Sequence, residues 1–271
     1  MNFTNKITSR ENQKLKHARK VRDGKIAGLV FVEGIRQCEE ILRSRIRIFE
    51  CFYADKLTAD RRFKELLDKI SGAGIPITLV EPKIFDSIAD TKNSQGIVII
   101  AEKPETNQAS FEQKLSVAEI DLIVFLSEIN NPSNLGAILR TAEAAGANGV
   151  IVSTNSTDAF SAKSARSALG ANFRLPIWAN AETERVIEWA KEKKLVTTAA
   201  DINGAKEYSE IDWKIPRLLI FGSEAHGLHE SHKSRIEEIV HISMENAVES
   251  LNLAVSCGII LFEAKRQRKS E

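Results

Sequence analysis

Short apolar runs alternate with amphipathic stretches along most of the chain, and this alternation is the strongest constraint on its fold. Leu29-Val30-Phe31-Val32 reads as a buried strand, Gly34 to Arg43 as a helix and Ile48 to Tyr53 as a second strand. A helix over Arg61 to Ile70 and strands over Ile75 to Val80 and Gly96 to Ala101 continue the pattern, which predicts a compact α/β unit. Ahead of it, Thr8-Ser9-Arg10-Glu11 has the form of a capping box. A helix is expected to open at Thr8 and to end near Gly24.

The stretch Glu102 to Gln108 is polar, contains Pro104 and has no periodicity, so it reads as a connection. The expected division is an N-terminal α/β domain over residues 1–103, a linker over 104–118 and a second domain over 119–271. In the second half strands are expected over Leu122 to Leu126, Gly149 to Ser153, Leu195 to Ala199, Arg217 to Phe221 and Val240 to Ser243, the first three with helices between them. Those helices cover Leu135 to Ala145, Ala162 to Leu169 and Glu182 to Lys193, with a terminal one from Leu251 to about Lys265. Crossovers of this kind predict a parallel sheet.

A net charge of +1 hides a division: residues 1–105 carry 20 Lys+Arg against 15 Asp+Glu, and the remainder 18 against 22. The excess is concentrated at Arg10, Lys14, Lys16, Arg19, Lys20, Arg22 and Lys25, on the first expected helix. Such a cluster suits a polyanion such as RNA, and equally a solvated helix face. Cys38, Cys51 and Cys257 are scattered without a Cys-x-x-Cys spacing, which favours neither a disulfide framework nor a zinc site. With no bilayer-length apolar run and no signal-type segment behind the polar start Met1 to Lys6, a cytoplasmic protein is expected.

Three segments of the second half hold more Asn, Gly, Ser, Arg and Glu than a strand-to-helix connection needs. They are Asn130 to Thr141, Phe221 to Leu228 and Ile242 to Val255, each following an expected strand. Ligands of open α/β sheets bind at the carboxyl ends of strands, so three such segments can converge on one site. Each also has a local reading. Asn131 and Asn134 can cap a helix, Gly222 and Gly227 can make turns, and Ser250 can be an N-cap.

Together the segments resemble the three motifs of the SpoU/TrmH family of RNA ribose 2′-O-methyltransferases, within the SPOUT superfamily. Asn134, Gly136, Arg140, Thr141 and Ala142 match the first motif; Phe221, Gly222, Glu224, Gly227 and Leu228 match the second. Glu249, Ser250, Leu251, Asn252 and Leu253 match the third. More weakly, Asn12, Lys16, Arg22 and Glu33-Gly34 resemble the RNA-recruiting domain that many members carry. Asn131 departs from the pattern, standing where many members have Asp before Pro.

The resemblance implies a knotted methyltransferase domain, with a parallel sheet and a deep C-terminal trefoil knot, behind a smaller N-terminal α/β RNA-recruiting domain. It implies S-adenosylmethionine as cofactor, held by Thr198, Ala199, Ala200, Gly222, Ile242 and Leu251. It implies a catalytic set of Arg140, Glu224, Ser250, Asn252 and Asn134, RNA contacts at Asn12, Lys16, Arg22 and Arg166, no metal, and a homodimer. The expected substrate is ribosomal RNA of the 23S type, with transfer RNA as the alternative. Arg140 would activate the ribose hydroxyl. Because a guanidinium stays protonated, clamping phosphate and stabilising the oxyanion is the expected role ahead of general-base action.

His226, His229, His232 and His241 raise a metal site, which Gly227 and the lack of a supporting pattern argue against. Lys163, Arg166 and Arg174 lie near Gly170, where they can meet RNA backbone or form a solvated helix face. Two other classes compete: a non-catalytic RNA-binding or ribosome-assembly protein retaining the fold, and a nucleotide-dependent oxidoreductase. The four motif residues Arg140, Glu224, Ser250 and Asn252 oppose the first; the missing Gly-x-Gly-x-x-Gly loop opposes the second.

Overall fold

A computed structural model describes residues 6–44, 46–55, 60–115, 122–246 and 248–269. Residues 116–118 of the expected linker therefore lie outside the described residues. The chain divides into two units, one of residues 1–104 and 160–173, the other of 105–159 and 174–271.

In chain order the first unit runs α1 (Gln13–Arg22), β1 (Leu29–Glu33), α2 (Ile35–Arg43), β2 (Ile48–Ala54), α3 (Arg61–Gly72), β3 (Ile77–Val80), α4 (Pro82–Phe85) and β4 (Ile97–Glu102). Its sheet order is β1-β4-β2-β3, with β4 antiparallel to both neighbours and β2 parallel to β3. Leu15, Ala18 and Val21 of α1 pack with Phe31, Phe52, Val98 and Ile100 on one side of this sheet. The first helix opens later than the capping-box spacing predicts. Ser9 Oγ accepts from Glu11 N–H at 3.2 Å in a turn, and Asn12 takes the N-cap, accepting from Lys14 N–H at 2.9 Å.

The chain continues with α5 (Gln108–Leu115), β5 (Leu122–Leu126), α6 (Pro132–Ala145) and β6 (Gly149–Ser153). Next come α7 (Ala162–Ala168), which packs on β1 in the first unit, α8 (Ala171–Arg174), β7 (Ile177–Ala181) and α9 (Thr183–Glu192). Last are β8 (Val196–Ala200), β9 (Lys206–Glu207), β10 (Arg217–Phe221), α10 (Glu230–Lys233), β11 (Glu238–His241) and α11 (Leu253–Lys269). The sheet order is β7-β6-β5-β10-β8-β11-β9 and every pairing is parallel, as the alternation predicts.

Within the stretch read as a linker, α5 is helical for a packing reason that its polar composition conceals. Phe111 is fully buried beside Trp178 and Trp189, and it lies so close to Gly149 that a Cβ there would stand 2.6 Å from its ring. Glu112 accepts from the Trp189 indole N–H at 2.9 Å, tying α5 to α9. Strand β7 went unread because its buried run is interrupted by Asn180, which sits at φ 55. On α6, Pro132 occupies the first turn, where its missing N–H costs nothing, and Gly146 ends the helix in the left-handed conformation at φ 88.

Candidate active site

Strands β5, β10, β8 and β11 are adjacent and parallel, so the loops at their carboxyl ends gather on one edge of the sheet. There they line a cavity of about 820 Å³, within the range of small-ligand sites. All three motif segments contribute: Asn131 and Asn134 from α6, Phe221 to Gly227 after β10, and Ile242, Met244 and Glu249 to Leu253 after β11. The loop after β8, Ala200 to Asn203, and Lys233 of α10 complete the wall.

Side-chain hydrogen bonds join the three motifs. Asn134 Nδ2 donates to Glu224 Oε1 at 2.5 Å, and Asn252 Nδ2 donates to Asn134 Oδ1 at 3.2 Å. Asn252 is held by a second task, since its Oδ1 caps α11 by accepting from Ala254 N–H at 2.9 Å. The cap falls to Asn252, and Ser250 lies free of it in the cavity wall. Asn131 caps α6 through Oδ1, accepting from Ser133 N–H at 2.9 Å, so an amide oxygen does the loop-shaping work of the carboxylate it replaces.

Between Gly222 and Leu228 the chain doubles back through reciprocal Ser223 and Gly227 backbone hydrogen bonds of 2.9 Å. A Cβ on Gly222 would lie 2.1 Å from the Gly227 carbonyl carbon, which leaves room only for glycine. Gly222, Ile242, Leu251 and Ala200 line the cavity; Thr198 and Ala199 do not. Thr198 is fully buried beneath the site and accepts from Arg217 Nη1 at 2.7 Å, while Ala199 belongs to the core on the other sheet face. Arg217, 2% exposed, also ion-pairs with Glu238 of β11 and donates from Nε to the Asp212 carbonyl at 2.9 Å.

Arg140 stands apart. It is exposed on α6, outside the cavity wall, and makes no hydrogen bond or ion pair among the described residues. The RNA-contact candidates of the first unit are engaged locally: Asn12 caps α1, Lys16 pairs with Glu11 at 2.7 Å, and Arg166 pairs with Asp90 at 2.5 Å. Arg22 pairs with Asp23 at 2.9 Å and donates to the Ser87 and Ala89 carbonyls. Glu33 accepts from the N–H groups of Asp90 and Thr91, shaping the loop beside Gly34. Among the described residues no group of three or more His, Cys, Asp or Glu is placed to hold a metal; His229 bonds Ser231 and His232 bonds Glu184.

Sequence reasoning passed over Asp201, Asn203 and Lys233. Asp201-Ile202-Asn203-Gly204 is a polar turn after a strand, so the positional rule that selected the other three loops would have selected this one too.

Comparison with known proteins decides what this cavity belongs to. Residues 121–262 match the SpoU rRNA methylase family, and residues 31–107 match the RNA 2′-O ribose methyltransferase substrate-binding family. The chain belongs to the SpoU rRNA methylase family. It is 30% identical to the 23S rRNA (guanosine-2′-O-)-methyltransferase RlmB of Shewanella oneidensis, over 88% of this chain and 97% of that one. An AdoMet-bound rRNA methyltransferase from Sinorhizobium meliloti superposes with a TM-score of 0.81 at 29% identity, covering 97% of both chains. The AdoMet complex of the SpoU methyltransferase AviRb from Streptomyces viridochromogenes gives a TM-score of 0.82 at 25% identity, covering 96% of this chain and 99% of that one. As a SpoU methylase the chain is an S-adenosylmethionine-dependent RNA methyltransferase, and its α/β architecture is that of the family. The cavity suits the cofactor: Phe221, Val240, Ile242 and Leu251 supply apolar lining fit for a purine, and Asn134, Asp201, Glu224 and Ser250 supply polar lining.

Proposed function

We propose that this SpoU methylase transfers a methyl group to a ribose 2′-hydroxyl of 23S-type ribosomal RNA. In this reading residues 1–103 recruit RNA, 104–118 link, and 119–271 carry the chemistry. The observation that carries it is the Glu224–Asn134–Asn252 hydrogen-bond chain, which joins all three motifs at the wall of one nucleoside-sized cavity. S-adenosylmethionine supplies an electrophilic sulfonium methyl group. Gly222, Ile242, Leu251 and Ala200 hold the adenosyl part, with Thr198 and Ala199 bracing the strand behind it. Glu224 and Asn134 orient the incoming ribose, Ser250 and Asn252 fix the wall against which it rests, and most of the acceleration comes from alignment.

Arg140 clamps the RNA phosphate and stabilises the developing oxyanion. Its position outside the cavity of its own chain favours a homodimer, in which α6 of one copy serves the cavity of the other. Val255 and Phe262, half-exposed on α11, the helix that opens at the cavity-lining Leu253, are the apolar surface such a dimer would cover. The deep C-terminal trefoil knot that the resemblance implies is part of this proposal. A ribosomal RNA substrate implies a cytoplasmic site of action, and Cys38, Cys51 and Cys257 are free and buried, as suits it.

Ribosomal substrate is favoured over transfer RNA because the likeness to the RlmB protein extends through the substrate-binding half as well as the methylase half. Mapping ribose methylations in RNA from cells with and without the protein tests the reading. Loss of one 23S mark supports it; loss confined to a transfer RNA or to a base methylation contradicts it.

A further inference from the structure

Among the cavity-lining residues outside the three motifs is a charged pair. Asp201, 11% exposed at its side chain, and Lys233, 17% exposed, both line the cavity and meet at 2.7 Å. Asp201 follows β8, and Lys233 ends the short helix α10. Asp201 Oδ1 also accepts from Asn203 N–H at 3.0 Å, and its backbone N–H donates to the Val240 carbonyl at 2.9 Å. The carboxylate is thus fixed in orientation, with Oδ2 3.8 Å from the point where a Cβ on Gly227 would stand. Gly227 is hydrogen-bonded to Ser223, the residue before Glu224.

A buried carboxylate on a ligand cavity is costly unless paired, and a paired one retains lone pairs that can accept further bonds. Burial pushes the Asp201 carboxyl up, but the bonds from Lys233 and from Asn203 outweigh it and hold the group below its ordinary value. It is therefore an ionised acceptor at neutral pH, lining a cavity whose apolar residues suit a purine. Of the remaining parts of a nucleoside, adjacent ribose hydroxyls are the donors that an oriented carboxylate binds best.

Resting on the methyltransferase reading above, we infer that Asp201 binds the ribose diol of the adenosyl cofactor and that Lys233 is the positioning residue that holds it. The third bond of the cluster, Lys233 to Glu230 at 2.9 Å, involves a carboxylate 84% exposed and adds little.

Isothermal titration of the full chain with S-adenosylhomocysteine, with its 2′-deoxy and 3′-deoxy ribose analogues and with its inosine analogue tests this. The wild-type chain should bind at least one deoxy analogue about tenfold or more weakly than the parent, the loss expected for a hydrogen bond to a charged group. Asp201→Asn should shrink that ratio to about twofold or less. Lys233→Met should shrink it as well, and Lys233→Arg should restore it, a rescue that a merely structural lysine would not show. The deoxy arms on the wild-type chain need no variant to fold. Equal affinity of the wild-type chain for parent and deoxy analogues, or undiminished discrimination by Asp201→Asn, overturns the assignment and leaves the methyltransferase reading standing. A loss seen only with the inosine analogue places the base on Asp201 and overturns it likewise. Absence of any S-adenosylhomocysteine binding overturns both.

Discussion

Asn134 and Glu224, 90 positions apart in the chain, are joined at 2.5 Å from the amide nitrogen to a carboxylate oxygen. Glu224→Gln keeps the shape and removes the charge that orients Asn134. Turnover should fall about a hundredfold, the scale seen when one preorganised polar group of a reacting centre is lost. Cofactor affinity, read by titration, should stay within about threefold, because a contact made mainly with the reacting ribose acts on kcat. Equal losses in both would make Glu224 a cofactor ligand.

Arg140→Ala should lower kcat about a hundredfold or more with cofactor binding unchanged, and Arg140→Lys should recover only part of it, since a point charge replaces a planar fork. If α6 acts across a dimer, mixing inactive Arg140→Ala and Asn134→Ala chains should regenerate activity, because mixed dimers contain one cavity with both residues. Phe262→Glu places a charge on the exposed apolar face of α11. Sedimentation should show dissociation toward monomer, with activity falling in parallel; a fully active monomer would refute the shared site.

Gly222→Ala should weaken cofactor binding by more than tenfold, since its Cβ would stand 2.1 Å from the Gly227 carbonyl carbon and the loop must move. Gly72→Ala, where a Cβ meets nothing within 4 Å, is the matched control and should leave titration unchanged.

The strands that frame the site were legible because they are continuous buried runs bounded by turn residues: Leu122–Leu126, Gly149–Ser153 and Arg217–Phe221 begin and end where the pattern places them. Asn134, Glu224 and Asn252 were legible as a group through motif order, and the structure brings them together. Other features depend on tertiary contacts that no local pattern carries. Helix α5 exists because Phe111 packs over Gly149, α1 starts at Gln13 because Asn12 outcompetes Thr8 as cap, and Lys233 reaches the cavity only because α10 folds back toward Asp201. Arg140, in a matching motif, and Thr198, a cofactor contact that the resemblance implies, show the converse, since the isolated chain places both outside the cavity wall.

Beneath the site, Arg217 and Glu238 tie β10 to β11. Burial pushes the Glu238 carboxyl up, but the bond and charge of Arg217 outweigh it, so its folded value lies below the ordinary 4.5. A depressed carboxylate contributes stability that is present above its unfolded value and lost as pH falls toward its folded one. Melting temperature should hold from neutrality to about pH 5 and fall below about pH 4.5, as Glu238 and Asp201 take up protons. Arg217→Met at pH 7 should cost about 2–4 kcal/mol, less than a fully buried pair because Glu238 is partly exposed and keeps Lys206 at 3.4 Å. Adding Glu238→Leu should recover much of that loss and flatten the acid limb.

The most direct test supplies the purified chain with methyl-labelled S-adenosylmethionine and unmodified 23S ribosomal RNA, followed by alkaline hydrolysis. A methylated 2′-oxygen cannot attack the adjacent phosphate, so label recovered in alkali-resistant dinucleotides is the predicted result. Label in ordinary mononucleotides, with the methyl group on a base, would contradict the account, as would no transfer by a chain that binds the cofactor.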